Sequence, residues 1–508
     1  MSDIDKKPQE DAMANEISQR ESVNHGKSVQ NASTSTDVKS EVKPRAKKDK
    51  SGFISGKESR RISRENNRIT RMYEKRKSRK NVPESEYVTQ MKDPNNIVEF
   101  ENLHTYFFTD AGVVKAVNGV SFSIPQGATV GVVGESGCGK SVTSMSLMQL
   151  VQRPQGQIMD GSEIRFKSSI YKEDENGNQI PIWETDSAGN IVRAQKLDKK
   201  GNPIMGPDGN VVMENVQKKD HNDIPMYETE ERVYNIAKMP LAKMRKVRGR
   251  EISMIFQEPM TSLNPVFRIG HQIDEVILLH MPGATKKSAK DRTYEMLRLV
   301  GIIPEIVYSK YPHELSGGMR QRVIIAMSLA CDPKLIIADE PTTALDVTIQ
   351  AQILELLRNV KDKISGSIML ITHDLGVIAE MADYVVVMYA GKIIEIGTAK
   401  EIFDTPHHPY TIGLQKSKPV VNKRVDRLYS IPGSVPNPIG MPDHCHFAGR
   451  CDKKIGACKG PYPGYTQLSP THKVACHLYL DGKNKSVDEQ ASSQTDDKAA
   501  SQPITEEN

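Results

Sequence analysis

The stretch Gly134-Glu-Ser-Gly-Cys-Gly-Lys-Ser141 has glycines at 134 and 139 with four residues between them, then a lysine and a hydroxyl, the spacing needed to wrap a phosphate group. Backbone N–H groups of Gly137, Cys138, Gly139 and Lys140 would close around phosphate oxygens, Lys140 would neutralise charge, and the Ser141 hydroxyl would ligate Mg²⁺. Ser136 lies within the loop and Val142 opens the stretch that follows it. A second feature is Leu335-Ile-Ile-Ala-Asp-Glu340, an apolar run ending in two carboxylates, Asp339 to hold the metal and Glu340 to polarise an attacking water. Acids at strand ends also serve as caps, so this pair gains its meaning from the phosphate loop. Together the two features imply nucleotide hydrolysis.

These residues need elements that hold them still. Residues 129–133 read as an apolar strand running straight into the phosphate loop, and 142–151 have helical apolar spacing, which gives a strand, loop and helix unit. From Glu251 onward strands (252–256, 335–338, 367–371) alternate with helices (288–300, after Ser316, from Val347), the pattern of an α/β domain with a mostly parallel sheet. Folding is expected to begin near Ile97. Residues 1–95, rich in Lys, Ser, Glu and Asn, are expected to be disordered apart from a helix through 60–79. Residues 167–235 carry repeated Asn-Gly and Asp-Gly pairs ahead of Ile or Val, which predicts a β-rich insertion of hairpins with type I′ turns. Asp174 and Asp208 suggest calcium loops only superficially, because no Glu closes them. Residues 96–417 then form the main domain, 418–480 a small second one with four cysteines, and 481–508 a polar tail.

Leu315-Ser-Gly-Gly-Met-Arg-Gln-Arg322 lies just upstream of the acidic strand and opens a helix, where a Ser and two glycines present N–H donors to an anion. This resembles the signature sequence of ATP-binding-cassette (ABC) ATPases. The resemblance implies an ABC-type nucleotide-binding domain with a helical subdomain, in which Leu315, Ser316, Gly317, Gly318 and Gln321 face the ATP held by a partner's phosphate loop. It further implies that Gln257 senses Mg²⁺ and the attacking water, that His373 contacts the γ-phosphate, and that Asp346 links the halves of a dimer. The catalytic set is then Glu340, His373 and Gln257, with Ser141, Gln257 and Asp339 around Mg²⁺. Phe107 lies where the family stacks an aromatic on adenine, with Tyr106 and Phe108 as alternatives or all three as core.

Beyond the cassette, Pro406-His-His-Pro-Tyr-Thr411 and Ile431-Pro-Gly433 precede Cys445, Cys451, Cys458 and Cys476. This is similar to the peptide and nickel importer subfamily, over about 97–478, and implies a [4Fe-4S] cluster on the four cysteines. By spacing alone a cluster, a zinc site joined by His444, His446, His472 or His477, and unliganded thiols all remain open. Cys138 and Cys331 stand apart as bystanders. One phosphate loop and one signature cannot build a composite ATP site, so a second, related ATPase subunit is implied. The resemblance adds two membrane-spanning permease subunits and an extracytoplasmic substrate-binding protein. It leaves oligopeptide, dipeptide and nickel open as cargo.

The chain has 508 residues, 37% of them hydrophobic, enough to fold only part of it. Apolar runs at 323–330 and 384–390 fall well short of the roughly 18 residues a spanning helix needs. Residues 1–19 lack the basic start and apolar centre of a secretory signal, so the chain is expected to stay in the cytoplasm, and the resemblance implies a peripheral place at the cytoplasmic face of the membrane. Sixteen Lys/Arg against five Asp/Glu in 41–80 conceal themselves within a net charge of +5, and read as a solvated tail or a weak lipid contact rather than a specific nucleic-acid site. The rival is an ABC protein acting on ribosomes or RNA. A single cassette, with its cysteines after it, argues against that. A non-catalytic subunit is disfavoured by Lys140, Glu340 and His373.

Overall fold

The computed structural model describes residues 56–79, 81–258, 262–343, 345–364, 366–417 and 429–480. Of the segments expected to be disordered, 1–55 of the N-terminal 1–95 and all of 481–508 lie outside the described residues.

Five parallel strands carry the site, side by side in the order Ile252–Ile255, Leu335–Asp339, Ser367–Ile371, Thr129–Val133 and Tyr384–Tyr389. The middle three are buried at every residue, as strands covered by helices on both faces must be. In such a sheet the loops leaving the C-terminal strand ends open on one edge, where ligands bind. The loops after 255, 339, 371 and 133 therefore share that edge. Helices Ile269–His280, Lys286–Leu299 and Gly317–Leu329 pack against one another as a helical unit whose inward residues, among them Ile273, Leu297 and Val323, are fully buried. A second, antiparallel sheet is built on the long hairpin Asn96–Thr109 and Gly112–Pro125.

Three expectations change. The order begins well before Ile97: helix Gly56–Lys77 packs on the Asn96–Thr109 hairpin and buries Asn66, Thr70 and Tyr73. Asn66 donates to the Thr109 carbonyl at 2.7 Å, and Glu74 pairs with Arg153 and accepts from Gln157. The buried face is mostly polar, so apolar periodicity could not reveal it. Tyr73→Ala is expected to cost about 2–4 kcal/mol, since it empties a site only 6% exposed; a thermal melt would show it.

Between 172 and 228 the chain forms a set of hairpins whose turns are not of type I′. Gly177 N–H donates to Asp174 O, Asp174 N–H donates to Asn178 O, and only the glycine has positive φ (80°). That is a type I turn closed by a glycine bulge; a type I′ turn needs two residues with positive φ. Turns at Gly189 and Gly201 repeat it. The Asp174 carboxylate accepts the N–H groups of Asn176 and Asn178, so it caps the turn. Between turns the backbone closes three-way rings: Lys172 donates to Glu228, Glu228 to Ile180 and Ile180 back to Lys172. The same cycle recurs at Ile182–Met226–Lys218, Glu184–Val216–Val192 and Lys196–Val212–Ile204. This arm satisfies its backbone internally and roots on the helical unit through buried Ile224 and through Asn222, which donates to Glu295 at 2.8 Å.

The region after 417 is not a separate domain. Strand Lys473–Val474 pairs with Lys392–Thr398, which itself pairs with Tyr384–Tyr389, so it extends the central sheet. Ile431, Phe447, Ala448 and Cys458 belong to the cassette's own core.

Candidate functional site

The phosphate loop takes its shape from backbone positions that no side chain could occupy. Gly139 has φ 104°, and a Cβ there would lie 2.4 Å from the Ala116 carbonyl; at Gly134 it would lie 2.2 Å from the Met388 carbonyl. Ser136 and Gly137 are exposed on the crest, Cys138 is buried beneath it with its thiol pushed up by burial, and Ser141 and Val142 start the helix Lys140–Leu147. Lys140 Nζ donates to the carbonyls of Gly134 (2.8 Å) and Glu135 (3.3 Å), which keeps the ammonium at the loop's mouth.

Ser141 Oγ donates to Asp339 Oδ1 at 3.0 Å, so the hydroxyl and the carboxylate expected around Mg²⁺ already face one another. Burial pushes the Asp339 carboxyl up to about 6, against the Ser141 hydrogen bond; neighbouring Glu340 adds to the rise and Lys140 opposes it. Asp339 must shed that proton before it can accept a metal. Mg²⁺ affinity is accordingly expected to fall as pH drops through about 6, which calorimetric titration of Mg²⁺ with ATP at acid and neutral pH would register.

Glu340 stands at the strand's end with φ 48°, a left-handed conformation rare for a non-glycine residue, fixed by its N–H donating to Ile371 O at 2.8 Å. Its carboxylate is clasped from three sides. Gln257 Nε2 and Thr343 Oγ1 both donate to Oε2 at 2.9 Å, and His373 Nδ1 lies 3.3 Å from Oε1. All three expected catalytic residues thus meet, although Gln257 and Glu340 are 83 positions apart. Thr343 escaped the sequence reading; a hydroxyl three residues after the acid was the available signal.

A family model described as ABC transporter matches residues 117–343, and one described as oligopeptide/dipeptide transporter, C-terminal region, matches 394–458. The oligopeptide transport ATP-binding protein AppD of Bacillus subtilis (strain 168) is 43% identical over 386 residues, which cover 76% of this chain and 97% of AppD. The chain belongs to this family of ABC transporter ATPases. The dipeptide transport ATP-binding protein DppD of the same organism is 41% identical (75% of this chain, 94% of its own). DppD of Lactococcus lactis subsp. cremoris (strain MG1363) is 42% identical (74% and 89%).

In this ABC ATPase the signature residues divide. Ser316 and Gly317 are exposed at the start of helix Gly317–Leu329, where Ser316 Oγ accepts the Met319 N–H, while Leu315 is buried. A Cβ on Gly318 would lie 3.0 Å from Ile349. Gln321 does not face outward as expected. It is 1% exposed and donates to the Pro341 carbonyl at 2.7 Å, because its place on the helix turns it toward the acidic strand. It therefore ties the signature helix to the residue after Glu340. Asp346 is exposed and its carbonyl accepts from Gln350 as the next helix begins. Of the three aromatics, Phe108 is core, the Tyr106 hydroxyl is committed to Asn118 at 2.9 Å, and Phe107 is half-buried with its ring against Gly156.

The C-terminal region reaches the phosphate loop. Arg450 makes a two-pronged ion pair with Glu135 (2.7 and 3.0 Å), and the Glu135 N–H donates to the Tyr410 hydroxyl at 2.8 Å. No sequence signal marked Arg450. Cys445, Cys458 and Cys476 are buried and Cys451 is half-buried, and none of them is in a disulfide. Burial pushes the Cys476 thiol up to about 12, and the other three cysteines add to it. Among the described residues, no three cysteine sulfurs lie within 4.8 Å of one another.

Proposed function

We propose that this ABC ATPase binds and hydrolyses ATP to power import of oligopeptides or dipeptides across the cytoplasmic membrane, working from its cytoplasmic face. The observation that carries this reading is the conjunction, in one chain, of the clasped Glu340 site with a C-terminal region of oligopeptide/dipeptide transporter type. Among the described residues no helix is long and apolar enough to cross a membrane, so permease subunits supply the path. Phe256, Val266 and Phe267, 39%, 76% and 54% exposed on either side of Gln257 and its loop, suit a membrane partner.

Within the site, the phosphate-loop N–H groups and Lys140 hold the phosphates, with Phe107 beneath the adenine. Ser141, Gln257 and Asp339 would hold Mg²⁺, which lends positive charge against the developing phosphate charge. Glu340 orients and deprotonates the attacking water, while Gln257, Thr343 and His373 aim its carboxylate. Ser316, Gly317 and Gly318 complete the site of a second, related ATPase subunit, and Asp346 meets that subunit. An extracytoplasmic binding protein delivers the peptide.

Cys476 lies within electrostatic reach of Cys445, Cys451 and Cys458, and four thiolates are the donor set that iron and sulfide take. Cys445, Cys451, Cys458 and Cys476 would hold a [4Fe-4S] cluster, which supplies a rigid, oxidation-sensitive cross-link.

The test is co-purification on this subunit from detergent-solubilised membranes, followed by ATP hydrolysis with and without added peptides. Membrane subunits, a second cassette and peptide-stimulated turnover are expected. Recovery of ribosomes or RNA in their place, or stimulation by nickel but not peptide, would overturn the reading.

A further inference from the structure

Away from the ATP site and the four cysteines, one group of metal-binding side chains converges among the described residues: Glu395, His407 and His472. Glu395 lies on the strand Lys392–Thr398, His407 on the turn before helix Pro409–Lys416, and His472 beside the strand Lys473–Val474. The three segments are distant in sequence and meet where the C-terminal region joins the cassette. One ligand atom from each lies within 4.8 Å of the others. The His472 nitrogen is 2.9 Å and the His407 nitrogen 3.9 Å from Glu395 Oε1. Ligand atoms around a zinc ion at ordinary bond lengths lie about 3.3 Å apart, between these two values.

The burial is what makes the group unusual. Glu395 is 0% and His472 2% exposed, whereas a carboxylate is rarely taken fully from water without a strong partner. Glu395 is partly satisfied: it accepts the N–H groups of His407 (2.7 Å) and His408 (3.0 Å) and the His472 ring. His407 is not. Its Nδ1 is buried, without a hydrogen-bond partner, and points at the same oxygen. The two imidazoles meet edge to face, centroids 4.9 Å apart at 83°, and Tyr479 closes the far side of His407 at 5.2 Å. His407 is still 29% exposed, which leaves a way in from solvent and room for a water as a further ligand.

We infer that Glu395, His407 and His472 form a divalent transition-metal site, zinc being the best match to a two-histidine, one-carboxylate donor set, that clamps the C-terminal segment to the cassette sheet. An ion there takes the place of the hydrogen bond between His472 Nε2 and Glu395, uses the orphaned His407 nitrogen, and shares the buried Glu395 charge. The donors are nitrogen and oxygen, so this site is chemically distinct from the thiolate site that begins at Cys445.

The experiment loads full-length chain with Zn²⁺ or Co²⁺ and compares the natural protein with His407→Ala and, separately, His472→Gln. His407→Ala removes a side chain that is 29% exposed and whose Nδ1 has no hydrogen-bond partner, and is expected to fold. In the natural protein, cobalt should give a visible band of nitrogen and oxygen ligation, and Zn²⁺ should raise the melting temperature. His407→Ala should abolish that band and the zinc-dependent shift, and weaken zinc binding by more than the roughly 10–100-fold lost when only an outer partner is removed. If the natural protein shows no such band, or if His407→Ala keeps the same cobalt spectrum and the same zinc-dependent melting, the site does not exist.

Discussion

Glu340→Gln should leave ATP bound and slow its hydrolysis roughly 10²–10⁴-fold, the loss typical when a positioned general base is removed. The amide keeps the shape and still accepts from Gln257 and Thr343 through its oxygen, both of which reach Oε2 at 2.9 Å. What it cannot do is take a proton from water. Single-turnover hydrolysis by the co-purified transporter, with nucleotide retention measured in parallel, separates the two steps. Equal loss of binding and turnover would mean that Glu340 holds the loop together and is not the base. His373→Ala should act in the same direction but less strongly, because it touches the carboxylate from one side only.

Arg450→Ala should be the most damaging change outside the ATP site. The guanidinium is 8% exposed and joined to Glu135 of the phosphate loop by two bonds, while also donating to the carbonyls of Pro432 and Ile431. Removing it leaves the Glu135 carboxylate and two carbonyls without their partner. Breaking a buried pair from one side costs about 3–5 kcal/mol; Glu135 is 26% exposed, so about 2–4 kcal/mol is expected. The loop is affected with it, since Glu135 lies beside the carbonyls that hold Lys140. A melt combined with the KM for ATP tests this: both should worsen, and Arg450→Lys should restore stability better than it restores KM, because an ammonium cannot make the two-pronged contact. A variant that melts lower with unchanged KM would confine Arg450 to a structural role.

The parts of this molecule that were legible in its sequence are those that local sterics or local chemistry dictates. Gly134 and Gly139 must be glycine where their neighbours' carbonyls lie 2.2 and 2.4 Å away, and an apolar run ending in Asp339-Glu340 can do little but end a buried strand at a polar edge. What stayed hidden depends on distance or on faces. Arg450 and Glu135 are 315 positions apart, and nothing near either announces the other. Gln321 sits inside a recognisable stretch, yet the helix turns it inward to Pro341, a matter of phase that adjacency to Ser316 conceals. Asn66, Thr70 and Tyr73 share one helix face at the proper spacing, but two are polar, so a search for apolar stripes passes over them. Glu395, His407 and His472 became visible as a group only after the sheet had placed Lys473–Val474 next to Lys392–Thr398.

That last pairing bears on how such chains can be cut and recombined. Lys392–Thr398 would be the rim of the cassette if the polypeptide stopped before 460, and its outward row of N–H and C=O groups would then be a template for any passing strand. The short strand at 473–474 and its partner Thr466–Gln467 blunt that rim. A chimera that joins this cassette to another ATPase's tail should therefore carry its junction beyond residue 480; one joined near 417 inherits an adhesive margin, and its failure would register as clumping in the cell rather than as lost catalysis.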